Sequence, residues 1–574
     1  MRTTFAATLA LLATLYCLPH LSAQETGAEP SGQNGASGGE IAELRERLDR
    51  LEQENEALKQ TVTERLPATA AEADTEGGQR FYDVDAVVNQ PASPDGSVRS
   101  VVEQVLAEQK AADKAAADAK KAAEAEAGYE VGKDLTMSAN WKNGLEVSSK
   151  DKAFRVHVGG RYQLDTSWFD TSDAVQSNIN NPYRDGIDFR RLRFRVDGTM
   201  YETIDWALEF DFINSARLRT GTGTAQLDTA VTAPTDAWWT FTKLPVVGNI
   251  RVGNQKEAIG FEHLVSSRYL PFMERSYNQD TFYGGSFNGF VPGISAYNSV
   301  MDDRATWNVG LFKPATNVFS YNNNDGDYSV VGRLTALPCY LDEGRSLIHL
   351  GFSARHATTY AGRYRFRTRD AIRSGISSTW PNPADTGDIT GKAMQWLNGE
   401  VAAVHGPWTL QSEYLVSLMQ DAQSIPGQLS SPGAPIVAGD NLVYHGGYVQ
   451  LLCFLTGEND KYSFERATFD RVIPNENFFM VGDENGCRAY GLGAWQTGAR
   501  YDYLDLNDQG INGGILHNFT YGLNWFLNPN MKVQFNYFAT YRDVAGVPGS
   551  IGANPINDGS GWIHGWGTRF AHDF

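Results

Sequence analysis

From Phe154 to Trp168 apolar and polar side chains alternate without a break. Phe154, Val156, Val158, Gly160, Tyr162, Leu164, Thr166 and Trp168 share one parity; Arg155, His157, Gly159, Arg161, Gln163, Asp165 and Ser167 share the other. Period two is the pattern of a strand with two unlike faces. It returns at Leu192, Phe194 and Val196, at Trp206, Leu208 and Phe210, at Ile348, Leu350 and Phe352, and from Trp495 to Tyr503. Near the end it recurs at Phe519, Tyr521, Leu523 and Trp525, then at Val533, Phe535 and Tyr537. Several runs reach about ten residues, whereas soluble strands average about five or six and a tilted membrane-crossing strand needs about 9 to 11. The opposite faces carry Arg191, Arg193, Arg195, Asp197, Glu209, Asp211, Gln496 and Arg500. A closed transmembrane antiparallel β-barrel places such residues in a wet lumen and the aromatics in lipid. A soluble sandwich also alternates, but aromatic residues gathered at strand ends favour the barrel. At about 25 to 30 residues per strand and connection, residues 135–574 predict about 15 to 18 strands; bacterial barrels prefer even numbers, hence 16.

The chain ahead of the barrel is patterned differently. Arg2, the apolar run Phe5 to Leu18 and Leu21-Ser22-Ala23 form a secretory signal over 1–23. A flexible leader follows at 24–40. Ile41, Leu44, Leu48, Leu51, Leu58 and Val62 are spaced by threes and fours, with Asn55 on the same seam, so 41–66 predicts a coiled coil. A single amphipathic helix is the competing reading. Residues 67–97 are a proline-bearing linker, and 98–134 an Ala-rich helical spacer. The fold class is therefore all-β, with an N-terminal α-helical or coiled-coil extension.

Composition narrows the function. The 574 residues carry a net charge of −19, which excludes the basic stripe of a nucleic-acid binder. Residues 1–134 hold 13 Lys and Arg against 24 Asp and Glu; the remainder holds 36 against 44. By parity the inward arginines are Arg155, Arg161, Arg191, Arg193, Arg195, Arg251, Arg333, Arg355, Arg500 and Arg569. Such a lining raises the local anion concentration. Against it, a tight turn near Tyr201 to Thr203 would set Glu209 and Asp211 opposite Arg195 and Arg193, cancelling part of the field. Arg363, Arg365, Arg367 and Arg369 alternate with Tyr364, Phe366 and Thr368. They read either as a basic ladder near one mouth or as a solvated, ion-paired strand. Cys339, Cys453 and Cys487 lie beyond the signal and allow at most one bridge. No metal spacing, nucleophile motif or phosphate-cradling loop is present, so no enzyme, cofactor or metal is expected. Asn324-Asp325-Gly326-Asp327 is an Asx-rich turn rather than a calcium loop.

Several segments in order resemble the phosphate-selective porin O and P family. They are Phe189-Arg190-Arg191-Leu192-Arg193, Gly253-Asn254-Gln255-Lys256 before Phe261-Glu262-His263-Leu264, and Phe272-Met273-Glu274-Arg275-Ser276. Later come Leu455-Thr456-Gly457-Glu458 and Gly522-Leu523-Asn524-Trp525-Phe526-Leu527-Asn528-Pro529. The resemblance implies a trimeric 16-stranded outer-membrane channel with a long third loop folded inward. It puts Arg268, Glu274 and Arg275 at the constriction; the rival reading is that Glu274 and Arg275 pair with the wall and pin the loop. Phe570 and Phe574 resemble the terminal signal read by the barrel-assembly machinery. The implied partners are outer-membrane lipid, further copies of the chain, and small anions or polar solutes. Peptidoglycan is a candidate for the periplasmic N-terminal helices. Two alternatives stay open: a plugged barrel that anchors or adheres, and a barrel enzyme such as a lipase.

Overall fold

The computed structural model describes Lys114 and residues 135–574, other than 180, 220–225, 285–288, 315–324, 359–362, 376–378, 430–437, 483–487 and 545–558. The signal, leader, coiled coil, linker and nearly all of the spacer, like Cys487 and Asn324, lie outside the described residues.

Sixteen antiparallel strands close on themselves. In chain order they are β1 (Arg155–Thr171), β2 (Gly186–Met200), β3 (Ile204–Arg219), β4 (Gln226–Leu244), β5 (Gly248–Lys256), β6 (Phe290–Val300), β7 (Ala305–Phe312) and β8 (Ser329–Leu341). There follow β9 (Ser346–Thr358), β10 (Ala393–His405), β11 (Trp408–Leu429), β12 (Ala438–Phe454), β13 (Ala494–Asp508), β14 (Ile511–Asn528), β15 (Met531–Asp543) and β16 (Gly561–Asp573). Each pairs with the next, and β16 returns to β1 with Trp566 opposite Trp168 and Phe570 opposite Leu164. Closure satisfies every wall strand's backbone and leaves no edge, which is what lets a sheet cross hydrocarbon. Beyond β16, Phe574 and Gly160 exchange backbone hydrogen bonds of 2.7 and 3.1 Å. A Cβ at Gly160 would stand 2.7 Å from the Arg193 carbonyl, so only glycine fits this seam.

The two parities separate as the alternation predicts. Trp168, Phe352, Phe519 and Trp566 stand exposed on the outer wall, while Arg161, Arg191, Arg193 and Arg500 are buried inside. A hydrophobic wall that faces outward is stable only against lipid. Among the described residues no helix is long and apolar enough to cross a membrane.

At one end the strands are joined by turns of two to four residues, with the long segment 455–493 between β12 and β13 as the exception. A hairpin of Met137–Trp141 and Leu145–Ser149 extends β1 at that end. The longer connections, including 257–289 and 359–392, leave from the opposite end. Short turns mark the periplasmic end of outer-membrane barrels. Cys339 and Cys453 are free thiols.

Candidate permeation pathway

Three segments, not one, fill the bore. The first is the β5–β6 connection, which turns inward at Gly260. Its φ of +69° suits glycine, and a Cβ there would meet the Glu413 carboxylate at 2.6 Å. That carboxylate accepts hydrogen bonds from the Phe261 and Glu262 backbone at 2.9 and 2.7 Å, so β11 supplies the anchor. The second comes from the β9–β10 connection. Arg369 and Arg373 both reach Asp280 of the first segment, at 2.8 and 2.7 Å, and Phe366 packs on Phe282. The third rises from the turn end: Tyr462 bonds His349 at 2.8 Å, and Arg333 on β8 donates to the carbonyls of Arg466 and Ala467. Phe469 meets Phe261 edge-on, so the first and third segments abut.

Water-sized space survives on both sides of this packing. A cavity of about 820 Å³ opens toward the turn end, and one of about 340 Å³ toward the other end. Among the described residues Arg373 alone lines both. The larger cavity is lined by thirteen arginines and three lysines against nine carboxylates. A chain that is acidic overall therefore presents a cationic lining to this cavity, with Glu209 and Asp211 buried behind the Arg161 and Arg193 they pair with.

The narrow zone is built on a β-bulge. Opposite β1, Gln163 pairs with Arg191 and Leu164 with Phe189, leaving Arg190 unopposed. The extra residue lets Arg190 and Arg191 both point inward while Phe189 and Leu192 stay on the lipid side. Between them sits Glu274 of the first segment. It accepts from Arg190 at 2.6 and 3.0 Å and from Arg569 at 3.0 Å, with Arg373 at 3.5 Å and Arg191 at 3.6 Å. Burial by itself raises such a carboxyl; here Arg190, Arg373, Arg191 and Arg569 override it and hold Glu274 well below the usual carboxylate range. The Trp380 ring is faced by Arg190, Arg369 and Arg373 at 4.8, 5.1 and 5.2 Å. Burial lowers Arg369 to about 10 despite Asp280 beside it, and it stays charged at neutral pH.

The arginines placed by parity all face inward, yet they divide by what they touch. Arg161 and Arg193 share Glu209 at 2.8 and 3.0 Å, and Arg193 also binds Asp211 at 2.7 Å. The β2–β3 register sets Arg193 opposite Asp211 and Arg195 opposite Glu209. Arg195 itself pairs with Asp197 and Asp236. Arg155, Arg161, Arg191, Arg193, Arg195, Arg251 and Arg333 border the larger cavity. Arg355, Arg500 and Arg569 do not. Arg355 lies against Glu257 at 3.1 Å and over Trp396; Arg500 binds Asp502 at 2.9 Å and the Glu274 carbonyl at 3.1 Å. Both are covered by the first segment and brace it.

Within that segment Arg268, Glu274 and Arg275 all border the cavity. Arg275 is turned to its own loop, donating to the Glu262 and Val265 carbonyls at 2.9 and 2.5 Å, and Arg268 lies 3.5 Å from Asp573. The run Arg363 to Arg369 is not one strand continuing past a mouth. It breaks into Arg363–Tyr364 and Arg367–Thr368, paired with different partners, and turns into the bore. Arg365 is held by Asp385 at 2.6 Å and Arg369 by Asp280; the side chain of Arg363 is outside the described set. Phe570 is on the outer wall and Phe574 seals the β1–β16 seam.

Arg373 and Trp380 escaped the sequence reading, while Arg190 and the third segment entered it only through the runs Phe189–Arg193 and Leu455–Glu458, with no role in the bore. The adjacent pair Arg190-Arg191, which breaks the two-residue step between Phe189 and Leu192, is the mark that would have revealed the bulge.

Comparison with known proteins adds to this geometry. The family described as phosphate-selective porin O and P matches residues 156–548. Porin O of Pseudomonas aeruginosa is 25% identical over 472 residues, covering 77% of this chain and 93% of that protein. An uncharacterised protein of Caulobacter vibrioides is 26% identical over 433 residues, 73% of each. Among solved structures, in-vitro folded OmpT of Vibrio cholerae (trimer form) aligns with a TM-score of 0.39 at 10% identity, over 74% of this chain and 100% of its own. OprB of Pseudomonas putida gives 0.39 at 9% identity, over 74% and 95%.

Proposed function

The chain belongs to the phosphate-selective porin O and P family, and we propose that its barrel passes small anions, inorganic phosphate among them. It is an outer-membrane porin of the bacterial envelope. The finer reading is carried by one observation: an acidic chain whose larger lumen cavity is lined by sixteen cationic side chains and nine carboxylates. Low-dielectric walls strengthen that excess, so anions concentrate in the bore and cations are repelled. Arg373 lines both cavities, and an anion crossing between them would meet it. There Arg190, Arg191, Arg369, Arg373 and Arg569 outnumber Glu274, Asp280 and Asp165, and a tetrahedral oxyanion can exchange one guanidinium contact for the next.

Trimeric self-association, a periplasmic position for residues 24–134 and docking of those helices on peptidoglycan complete the proposal. The first rests on the family resemblance, the others on the sequence pattern. Phe570 and Phe574 would serve as the signal for barrel assembly.

The test is conductance of the purified protein in planar bilayers. Steps in potassium chloride that millimolar phosphate blocks from either side support the proposal. Conducting steps indifferent to phosphate remove phosphate from it. Failure to conduct, with the barrel folded, would favour the plugged, anchoring alternative that three inward segments also suit.

A further inference from the structure

The segment 455–493 has a second half that does the opposite of the first. Beyond Ile473 the chain leaves the bore and makes a hairpin of Phe479–Gly482 against Arg488–Gly491. Its base is fastened to the outer wall. The Phe478 amide donates to the Leu527 carbonyl at 2.6 Å, and the Trp525 indole N–H donates to the Leu492 carbonyl at 2.9 Å. The Phe478 ring meets Trp525 edge-on at 4.6 Å, and Trp525 stacks on Trp495 at 5.1 Å. From there an aromatic line runs outward through Phe479 to Tyr490, 5.8 Å apart. Phe479 is 51% exposed, Leu492 68% and Tyr490 76%.

Large apolar side chains gathered on one projecting element mark a surface meant to be covered. What covers this one follows from its neighbours. Trp495 is the second residue of β13, Trp525 lies three residues from the end of β14, and Trp408 opens β11; all are at the turn end. Trp408 is half exposed on the outer wall. Trp and Tyr at that level of a barrel sit at the boundary of headgroups and acyl chains. The hairpin's aromatic row continues that belt away from the wall.

We propose that residues 478–482 and 488–492 form a foot lying in the periplasmic leaflet, its Phe478, Phe479, Tyr490 and Leu492 taken up by phospholipid at the headgroup boundary. Aromatic side chains with a polar tip, such as Tyr490, suit that boundary because one end prefers hydrocarbon and the other water. The segment that narrows the bore with one half is then held to the bilayer by the other.

The test uses the full chain with Cys339, Cys453 and Cys487 changed to Ser, and Tyr490→Cys carrying a nitroxide. The protein is reconstituted in phosphatidylethanolamine and phosphatidylglycerol vesicles, and folding is verified by heat-modifiable gel mobility. The expected result is strong relaxation by oxygen and weak relaxation by a water-soluble nickel chelate, as for a lipid-facing Phe519→Cys control. Diluting with unlabelled protein should change nothing. Nickel access equal to a turn control at Glu202→Cys would place the hairpin in water and overturn the proposal. Dipolar broadening that vanishes on dilution would overturn it too, by giving the surface to a second copy. In a Phe479→Asp, Tyr490→Asp background the barrel should still show its gel shift. A label on Leu492→Cys should then move from oxygen toward nickel accessibility; no movement would also contradict the foot.

Discussion

The narrow zone and the turn-end cavity use the same residue type for different ends. At Glu274 and Asp280 several arginines converge on shared carboxylates, and these contacts join the barrel wall to the inward segments. In the larger cavity Arg251 has, among the described residues, neutral partners only: the Thr240 hydroxyl at 2.9 Å, the Tyr297 hydroxyl at 2.8 Å and the Trp238 face at 3.9 Å. Lys142, Lys461 and Arg466 border the same cavity with no carboxylate held at their charged ends among the described residues. Paired charge makes architecture; unpaired charge makes field. Buried ion pairs cost desolvation that their attraction only roughly repays, so their value lies in fixing geometry, whereas an uncompensated cation on water acts on whatever ion comes near.

The largest effect that would break this division is expected at Glu274. Glu274→Ala leaves Arg190, Arg373 and Arg569 buried without their shared anion, a loss of roughly 3–5 kcal/mol for such removals. The inward connection should become sensitive to protease added to open vesicles and the heat-modifiable transition should fall. A variant that keeps both and changes only conductance would show that Glu274 tunes the field instead. Next comes a matched pair. Arg333→Ala removes a guanidinium bound to Glu400 at 2.8 Å and to two carbonyls of the third segment, and should lower thermal stability. Arg251→Ala should leave the melting transition nearly in place and reduce anion preference. Equal melting losses in the two would erase the distinction.

A smaller effect follows from Asp460, whose carboxyl accepts from the Thr409 hydroxyl at 2.7 Å. Burial pushes it up to about 6, only partly offset by that hydrogen bond and by Lys532. A raised carboxyl favours the folded state while protonated. The seating of the third segment should therefore be firmest at or below the ordinary carboxylate range and weaken as pH rises through about 6. Protease nicking between 455 and 475, compared at pH 5 and 7.5, reads this directly, and Asp460→Asn should flatten the difference. Smallest of all is Lys392→Ala: its partner Asp421 is 3.8 Å away and both are mostly exposed, so stability should change by less than about 0.5 kcal/mol.

The wall of this molecule was legible because alternation is a local property. Each strand declares its two faces within ten residues, and lipid outside with water inside makes the contrast strong. Even the pairing of Arg193 with Asp211 followed from a tight turn. The bore was less legible because its filling is assembled from distant segments. Nothing local at Arg365 or Arg369 says that the chain turns inward to meet Asp385 and Asp280, and nothing near Tyr462 announces His349 on another strand. Parity likewise tells which way Arg355 and Arg500 point but not that another segment lies in front of them. The bulge at Arg190 sits between these cases: one extra residue shifts the phase, and the doubled arginine is its only trace.

The reversal potential of the reconstituted protein across a tenfold potassium chloride gradient is the most direct measure of lumen charge. The wild type should reverse at the sign and near the magnitude of a chloride electrode. A variant carrying Arg251→Ala, Lys461→Ala and Arg466→Ala, with its melting transition preserved, should move toward zero. A wild-type value at zero or on the potassium side would contradict the claim that unpaired lumen cations give this channel its preference.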